Sequence, residues 1–292
     1  MAENKNDIYS FGILLFLGLI WGASFLLIKK GLIALSPFQV AAVRISVASA
    51  FFLPFFIGTM KKIPMKKWPL FLLIGLTGSG IPAILYPLAQ TSIDSSVSGT
   101  LNSLTSIFTL LFATLIFGVK QSNKQVLGVI IGFVGAALLF LPNGKINFGS
   151  IDWKALYIIL ATLFYAFNVN IVKKYVHDIS PLQLSAASFV MMAPFAWSLF
   201  IFTDVVGTIR TEPMGWYSFG SIVLLSLAST CISTIIFYGL VKRTTAVFSS
   251  LVTYLIPIFA LIFGSMDGEI IGVYHYVGMA FILTGVFVSS RK

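Results

Sequence analysis

Ten apolar stretches, each long enough to cross a lipid bilayer, divide the chain near residues 8–28, 37–58, 68–90, 95–118, 124–142, 153–173, 181–203, 216–240, 245–264 and 272–290. A spanning helix takes about 20 residues, so ten of them leave only short connections and no room for a separate soluble domain. Spans three and four are parted by little more than Ser92 to Asp94, yet together they are too long for one crossing. Charged residues make up 10% of the chain and hydrophobic residues 58%, whereas a soluble domain is about 25% charged. The expectation is an all-α integral membrane protein. A secreted enzyme, a cytosolic dinucleotide-binding protein, a nucleic-acid binder and a disordered scaffold all fit poorly. The first apolar run is about 21 residues, longer than the core of a cleavable leader, and no small-residue cleavage site follows it.

The net charge of +10 does not point to nucleic acid, which would need the bases gathered on one soluble face. They sit instead in twos and fours between apolar runs, where Lys and Arg set topology. With the N-terminus cytoplasmic, inner segments hold Lys5, Lys61, Lys62, Lys66, Lys67, Lys120, Lys124, Lys173, Lys174, Lys242, Arg243, Arg291 and Lys292. Outer segments hold Lys29, Lys30, Lys145, Lys154 and Arg210. The acids Asp94, Asp152, Asp204, Glu212, Asp267 and Glu269 fall outside. The expected location is the inner (plasma) membrane with both termini cytoplasmic.

The chain also repeats itself. Lys29-Lys30 and Ser36-Pro37-Phe38-Gln39 recur 144 residues later as Lys173-Lys174 and Ser180-Pro181-Leu182-Gln183. The same offset lays Trp21 on Tyr165, Ser24 on Asn168 and Arg44 on Ser188. Further along, Tyr86 falls near Tyr238, Ile107-Phe108 matches Ile258-Phe259, and Gly128 and Gly135 match Gly278 and Gly285. Two five-helix repeats, 8–142 and 153–290, are expected. Five is odd, so the second copy must be inverted. Inverted repeats place a site near the midplane and suit alternating access.

These features resemble the EamA-type drug/metabolite transporters. The resemblance rests on Trp21-Gly22 with Ser24-Phe25 in the first span, Arg44 in the second, Pro257-Ile258-Phe259, and the paired glycines of spans five and ten. It covers residues 8–290. It implies a ten-helix facilitator or exporter of amino acids or other small metabolites, with a cavity lined by helices of both halves. Two departures stand out. Ser106 occupies a position where such proteins usually carry proline, and Val119-Lys120 lacks their frequent acid, although Glu269 holds the equivalent place later.

The candidate substrate-binding residues are Trp21, Ser24, Tyr86, Gln90, Asn102, Tyr165, Asn168, Tyr238 and Arg44. The pairs Trp21/Ser24, Tyr165/Asn168 and Tyr86/Gln90 each share a helix face. Amides and hydroxyls beside aromatic walls suit a small-molecule site, but they also serve as interhelical hydrogen bonds. Arg44, about seven residues into its span, either anchors a substrate carboxylate or fastens helix two to its neighbours. No span carries an acid near its centre, so proton relay through a membrane carboxylate is not indicated. That absence also disfavours a drug-cation exporter, which would want a cavity counter-ion.

His177 and His275 form no metal motif, Asp267-Gly268-Glu269 is too short for a calcium loop, and no phosphate-cradling loop is present. No cofactor is expected. A membrane enzyme would need a buried catalytic pair, and the spans hold neither His nor Asp at depth. A sensor is the other non-transporting alternative. The expected partners are a small-molecule substrate and the lipid bilayer, with no nucleic acid. The stripe Gly128, Gly132, Gly135 admits a close helix neighbour within the chain or across a homodimer. Pro82, Pro87, Pro194 and Pro257 are expected to kink or interrupt their spans.

Overall fold

The computed structural model describes residues 8–59, 65–139, 152–176, 178–266 and 273–290. Every regular element among them is helical: α1 (Ile8–Gly31), α2 (Pro37–Thr59), α3 (Trp68–Gly75), α4 (Ile81–Gln90), α5 (Ser95–Leu101), α6 (Leu104–Leu115), α7 (Asn123–Leu139), α8 (Ala155–Tyr175), α9 (Pro181–Phe202), α10 (Val205–Thr211), α11 (Gly215–Leu225), α12 (Ser233–Arg243), α13 (Ala246–Ser250), α14 (Val252–Met266) and α15 (Val273–Ser290). Lys5, Lys61, Lys62, Lys145, His177, Asp267, Glu269, Arg291 and Lys292 lie outside the described residues, as does the side chain of His275.

Eight helical stretches among the described residues are long and apolar enough to span a membrane, some assembled from two helices end to end. The expected fifth and tenth spans correspond to the shorter apolar helices α7 and α15. Leu115, Ile201 and Trp216 are 78, 70 and 70% exposed. A soluble monomer rarely shows so much apolar surface, and lipid supplies its solvent.

Several boundaries differ from the expectation. α1 runs to Gly31, which puts Lys29 and Lys30 in its last turn, where the negative end of the helix dipole favours cations. The segment between spans seven and eight, expected as a loop, contains α10. Asp204 caps it from a left-handed backbone conformation (φ 49°), accepting from the Gly207 N–H at 3.0 Å.

Four of the expected spans are internally interrupted, and they form two pairs. Between α3 and α4, Leu76–Gly80 is π-helical, and the Ile81 N–H reaches back to the Leu76 carbonyl. Pro82 explains this, because it has no N–H and its ring crowds the carbonyl four residues earlier; a wider turn relieves the clash. Between α11 and α12, Ser226–Ile232 is also π-helical, though no proline is present. There the Ala228 carbonyl accepts from both the backbone N–H and, at 2.9 Å, the hydroxyl of Ser233, which fastens the wide turn. The fourth span breaks at Asn102–Ser103 and the ninth at Leu251. Pro87, Pro194 and Pro257, by contrast, lie within continuous helices, and so does Pro54.

The most extensive helix packings all cross between the two halves of the chain: α7 with α15, α2 with α9, α1 with α14, α6 with α8, α3 with α9 and α4 with α8. The core is therefore the seam between the halves. At α7–α15 the backbones nearly touch. A Cβ on Gly285 would lie 2.4 Å from the Gly132 nitrogen, and one on Gly128 would lie 2.4 Å from the Ser289 nitrogen. The glycine stripe thus packs within the chain. Gly285→Ala is expected to cost about 1–3 kcal/mol through overpacking, read as a lower melting temperature in detergent. Gly220→Ala in α11, where an added Cβ meets nothing within 4 Å, is expected to leave the melting temperature unchanged or raised.

Candidate functional site

The interruptions converge on one cavity at the seam. Gly78 and Ser79 come from the first π segment, Ser229 from the second, Asn102 and Thr105 from the break in span four, and Ser250, Val252 and Thr253 from the break in span nine. The cavity holds about 840 Å³ of unfilled space, counting its opening to solvent. Such breaks need hydrogen-bonding surroundings, since unpaired backbone groups are costly in lipid; a polar cavity supplies them.

Eight of the nine candidate residues line this cavity: Trp21, Ser24, Arg44, Tyr86, Asn102, Tyr165, Asn168 and Tyr238. Gln90 does not. It lines a separate polar pocket at the end of α4. Phe25, Phe237, Thr234 and the small polar residues of the interruptions also line the cavity and were absent from the expected set. The signal for them was present as runs of Ser, Thr and Gly in otherwise apolar spans, most clearly Ser226-Leu-Ala-Ser-Thr-Cys-Ile-Ser233.

Hydrogen bonding separates the lining into groups that hold the bundle and groups left over. The Trp21 indole donates to the Ser229 carbonyl at 2.9 Å, and the Ser24 hydroxyl meets the Ser229 hydroxyl at 2.8 Å. In the other half, the Asn168 Nδ2 donates to the Ile74 carbonyl at 2.8 Å and to Thr77 Oγ1 at 3.1 Å. Ser24 and Asn168, repeat mates by sequence, therefore each clamp the π segment of the opposite half. The clamp at Asn168 is tight enough that a Cβ on Gly78 would lie 2.8 Å from its amide nitrogen. The Tyr238 hydroxyl lies 3.5 Å from Asn168 Oδ1. Ser106 makes a third tie between the halves, donating to the Ser250 carbonyl at 2.7 Å beside Thr253 Oγ1 at 3.0 Å. A hydroxyl where proline is usual thus satisfies a carbonyl at the span-nine break.

Other groups remain available to a ligand. Tyr86 donates its hydroxyl to Asn102 Oδ1 at 2.5 Å, a bond that leaves the Asn102 amide nitrogen uninvolved. Thr105 Oγ1 is buried without a partner. Arg44, 9% exposed, donates from Nε to Thr230 Oγ1 at 2.8 Å, while the Ser226 hydroxyl donates to the Arg44 carbonyl. Its guanidinium also reaches the Tyr165 hydroxyl. Among the described residues Arg44 is the only charged one lining the cavity, and no carboxylate pairs with it. The walls are aromatic: Trp21 meets Phe237 edge-on at 5.1 Å, Phe25 meets Tyr86 at 5.4 Å, and Tyr86 stacks on Tyr165 at 6.0 Å. No group of metal-ligating side chains occurs among the described residues.

Comparisons place this architecture among known proteins. The model of the EamA-like transporter family matches residues 10–141 and again 152–291. The chain is 24% identical to an uncharacterised transporter of Archaeoglobus fulgidus, covering 93% of this chain and 95% of that one. It is 25% identical to the uncharacterised inner membrane transporter YedA of Escherichia coli, over 94% and 89%. A probable terminal-alkyne amino-acid exporter of Streptantibioticus cattleyicolor is 22% identical over 93% and 90%. One solved crystal structure shares the fold with a TM-score of 0.70 over 96% of both chains, at 16% identity.

A buried, unpaired cation costs stability, so removing Arg44 tests whether it serves the bundle. Arg44→Met is expected to keep the melting temperature within the equivalent of about 1 kcal/mol or to raise it. A drop of several kcal/mol would make Arg44 a strut.

Proposed function

This chain belongs to the EamA-like transporter family, and from that premise we propose that it is a secondary carrier exporting small carboxylate-bearing metabolites, amino acids foremost, across the inner membrane. The observation that carries this reading is the lone Arg44 guanidinium in a cavity walled by Trp21, Phe25, Tyr86 and Phe237. A guanidinium can hold a carboxylate through two parallel hydrogen bonds, and the low surrounding dielectric strengthens that attraction. The Tyr165 hydroxyl and the Asn102 amide stand beside it for the remaining polar atoms, and the aromatic walls accept an apolar side chain. A drug cation would meet Arg44 as a like charge with no counter-ion, so that cargo class is disfavoured. The related amino-acid exporter supports the same class.

The carrier reading includes ten crossings in two inverted repeats, 8–142 and 153–290, with both termini cytoplasmic. Paired features support it. The π segments begin 150 residues apart at Leu76 and Ser226, and the breaks at Asn102 and Leu251 are 149 apart. The clamps from Ser24 and Asn168 exchange between halves. Alternating access then consists of loosening one end of the seam while the other closes, with cargo held at Arg44. No step requires a cofactor, an enzyme activity, nucleic acid or a second copy of the chain.

Purified protein in liposomes is expected to move at least one member of a radiolabelled amino-acid panel down its gradient; flux equal to empty vesicles for the whole panel removes the cargo class. Arg44→Gln is expected to raise the half-saturation concentration of carboxylate-bearing cargo by about tenfold to a hundredfold, the usual weight of a charge-assisted hydrogen bond. Equal losses for amine-only compounds would contradict the anchor. Ser24→Ala combined with Asn168→Ala is expected to lower the maximal rate more than the half-saturation concentration, because both side chains spend their donors on the opposite half.

A further inference from the structure

The breaks in spans four and nine both line the cavity, but they differ in how fully they satisfy their own polar groups. At the span-nine break the Ser250 hydroxyl donates to the Val247 carbonyl and the Thr253 hydroxyl to the Ser250 carbonyl, both at 2.8 Å. The span-four break is less complete. Thr100, Ser103 and Thr109 donate their hydroxyls to the carbonyls of Ser96, Thr100 and Thr105, and Ser106 donates to the Ser250 carbonyl. Thr105, 2% exposed, stands among them with its Oγ1 buried and unpartnered. A hydroxyl in an apolar helix ordinarily turns back to a carbonyl of the preceding turn, and buried polar groups nearly always find a partner. Ser98 shares this condition outside the cavity lining, whereas Thr105 belongs to the lining.

Asn102 lies three residues before Thr105, and its backbone carbonyl accepts from the Thr105 N–H at 3.1 Å. Its Oδ1 is engaged by Tyr86, and its amide nitrogen is not. The second half does not reproduce this pair. At the 149-residue offset of the two breaks, Asn102 falls on Leu251 and Thr105 on Tyr254. Leu251 brings no polar side chain, and the Tyr254 hydroxyl donates to the Val129 carbonyl at 2.7 Å. A break in the helix therefore does not by itself require an open amide and an open hydroxyl. An amide nitrogen only donates, while a hydroxyl both donates and accepts. Together they match a carboxamide, whose oxygen accepts from Asn102 and whose NH2 donates to Thr105. A carboxylate could accept from both, but its charge would want a second cation. Among the described residues Arg44 is the only charged one lining the cavity, and an unpaired charge is costly away from water. An ammonium finds no carboxylate there, and an alkyl group leaves both polar groups unpaired.

We propose that Asn102 and Thr105 form a second anchor in the central cavity, specific for a neutral carboxamide, so that the favoured cargo is an amino acid whose side chain ends in one. The inference rests on the transport reading above for the amino-acid class and for the α-carboxylate at Arg44; the side-chain selectivity is the further step. The two anchors are joined through one pair of rings: Arg44 reaches Tyr165, Tyr165 stacks on Tyr86, and Tyr86 holds Asn102.

L-asparagine and L-leucine make the decisive comparison, because their side chains are nearly the same shape and differ in polarity. The full chain, purified in detergent, is titrated calorimetrically with L-asparagine, L-glutamine, L-leucine and L-glutamate, and flux of the same compounds is measured in liposomes. At least one of the two amides is expected to bind about tenfold or more tightly than L-leucine, since a site with unpaired polar groups rejects an apolar isostere. L-glutamine is expected to bind more tightly than L-glutamate. Thr105→Val keeps the side-chain shape, removes the hydroxyl and is expected to abolish the amide preference, while Thr105→Ser retains it. Asn102→Leu is the second version should Thr105→Val fold poorly, as read from its melting temperature. L-leucine binding as tightly as both amides, no measurable binding of either amide, or an amide preference that survives these substitutions overturns the anchor. Flux without amide preference removes the anchor alone. Amide-selective binding without flux of any compound removes the transport reading and leaves the anchor standing.

Discussion

Backbone hydrogen bonding in lipid is the constraint on which the structure depends. Hydrocarbon offers no donor or acceptor, so a chain crossing it must satisfy each N–H and C=O internally. A continuous helix does this within its own segment. Where this chain departs from continuity, at Leu76–Gly80, Asn102–Ser103, Ser226–Ile232 and Leu251, the departure faces the seam between its halves. There the freed groups find side chains. Trp21 takes the Ser229 carbonyl, Asn168 the Ile74 carbonyl and Ser106 the Ser250 carbonyl. The irregular backbone and the cavity require each other: one opens polar groups, and the other is the place where open polar groups can be afforded.

Electrostatics within the cavity follow from the same solvent argument. Among the described residues no carboxylate lines the cavity, so in its low-dielectric surround the Arg44 guanidinium projects a field that none of them cancels. Thr230 and Tyr165 orient Arg44 without neutralising it. The lining sets the Arg44 cation among the rings of Trp21, Phe25, Tyr86 and Phe237, while Ser24 and Asn168 bond across the seam.

Many residues that line the cavity were readable from the amino-acid order because they break its monotony. Trp21, Arg44, Tyr86, Asn102 and Asn168 are polar or bulky exceptions in apolar spans, and exceptions in lipid need a reason. What escaped the reading was geometry without a sequence breaker. The π turn at Ser226–Ile232 contains no proline, and α10 is too short and mixed to show a period. Gln90 shared a helix face with Tyr86, as its four-residue spacing required, yet the end of α4 carries it past the cavity into the second pocket. Ser24 and Asn168 stood between cargo contact and interhelical bonding in the sequence, and in the structure both bond across the seam. Spacing alone cannot tell a side chain that meets cargo from one that meets the facing helix.

The contact between α7 and α15 has a mechanical consequence. Along Gly128, Gly132 and Gly285 two backbones press together with no side chain between them. Neither helix can slip lengthwise without driving a Cβ from the next turn into its partner, though each can pivot slightly about the point of touch. The contact between α7 and α15 is therefore a fixed line along one edge of the molecule. In the proposed carrier cycle that line would be where the halves hinge, in the manner of a door whose swing is set by where it is hung.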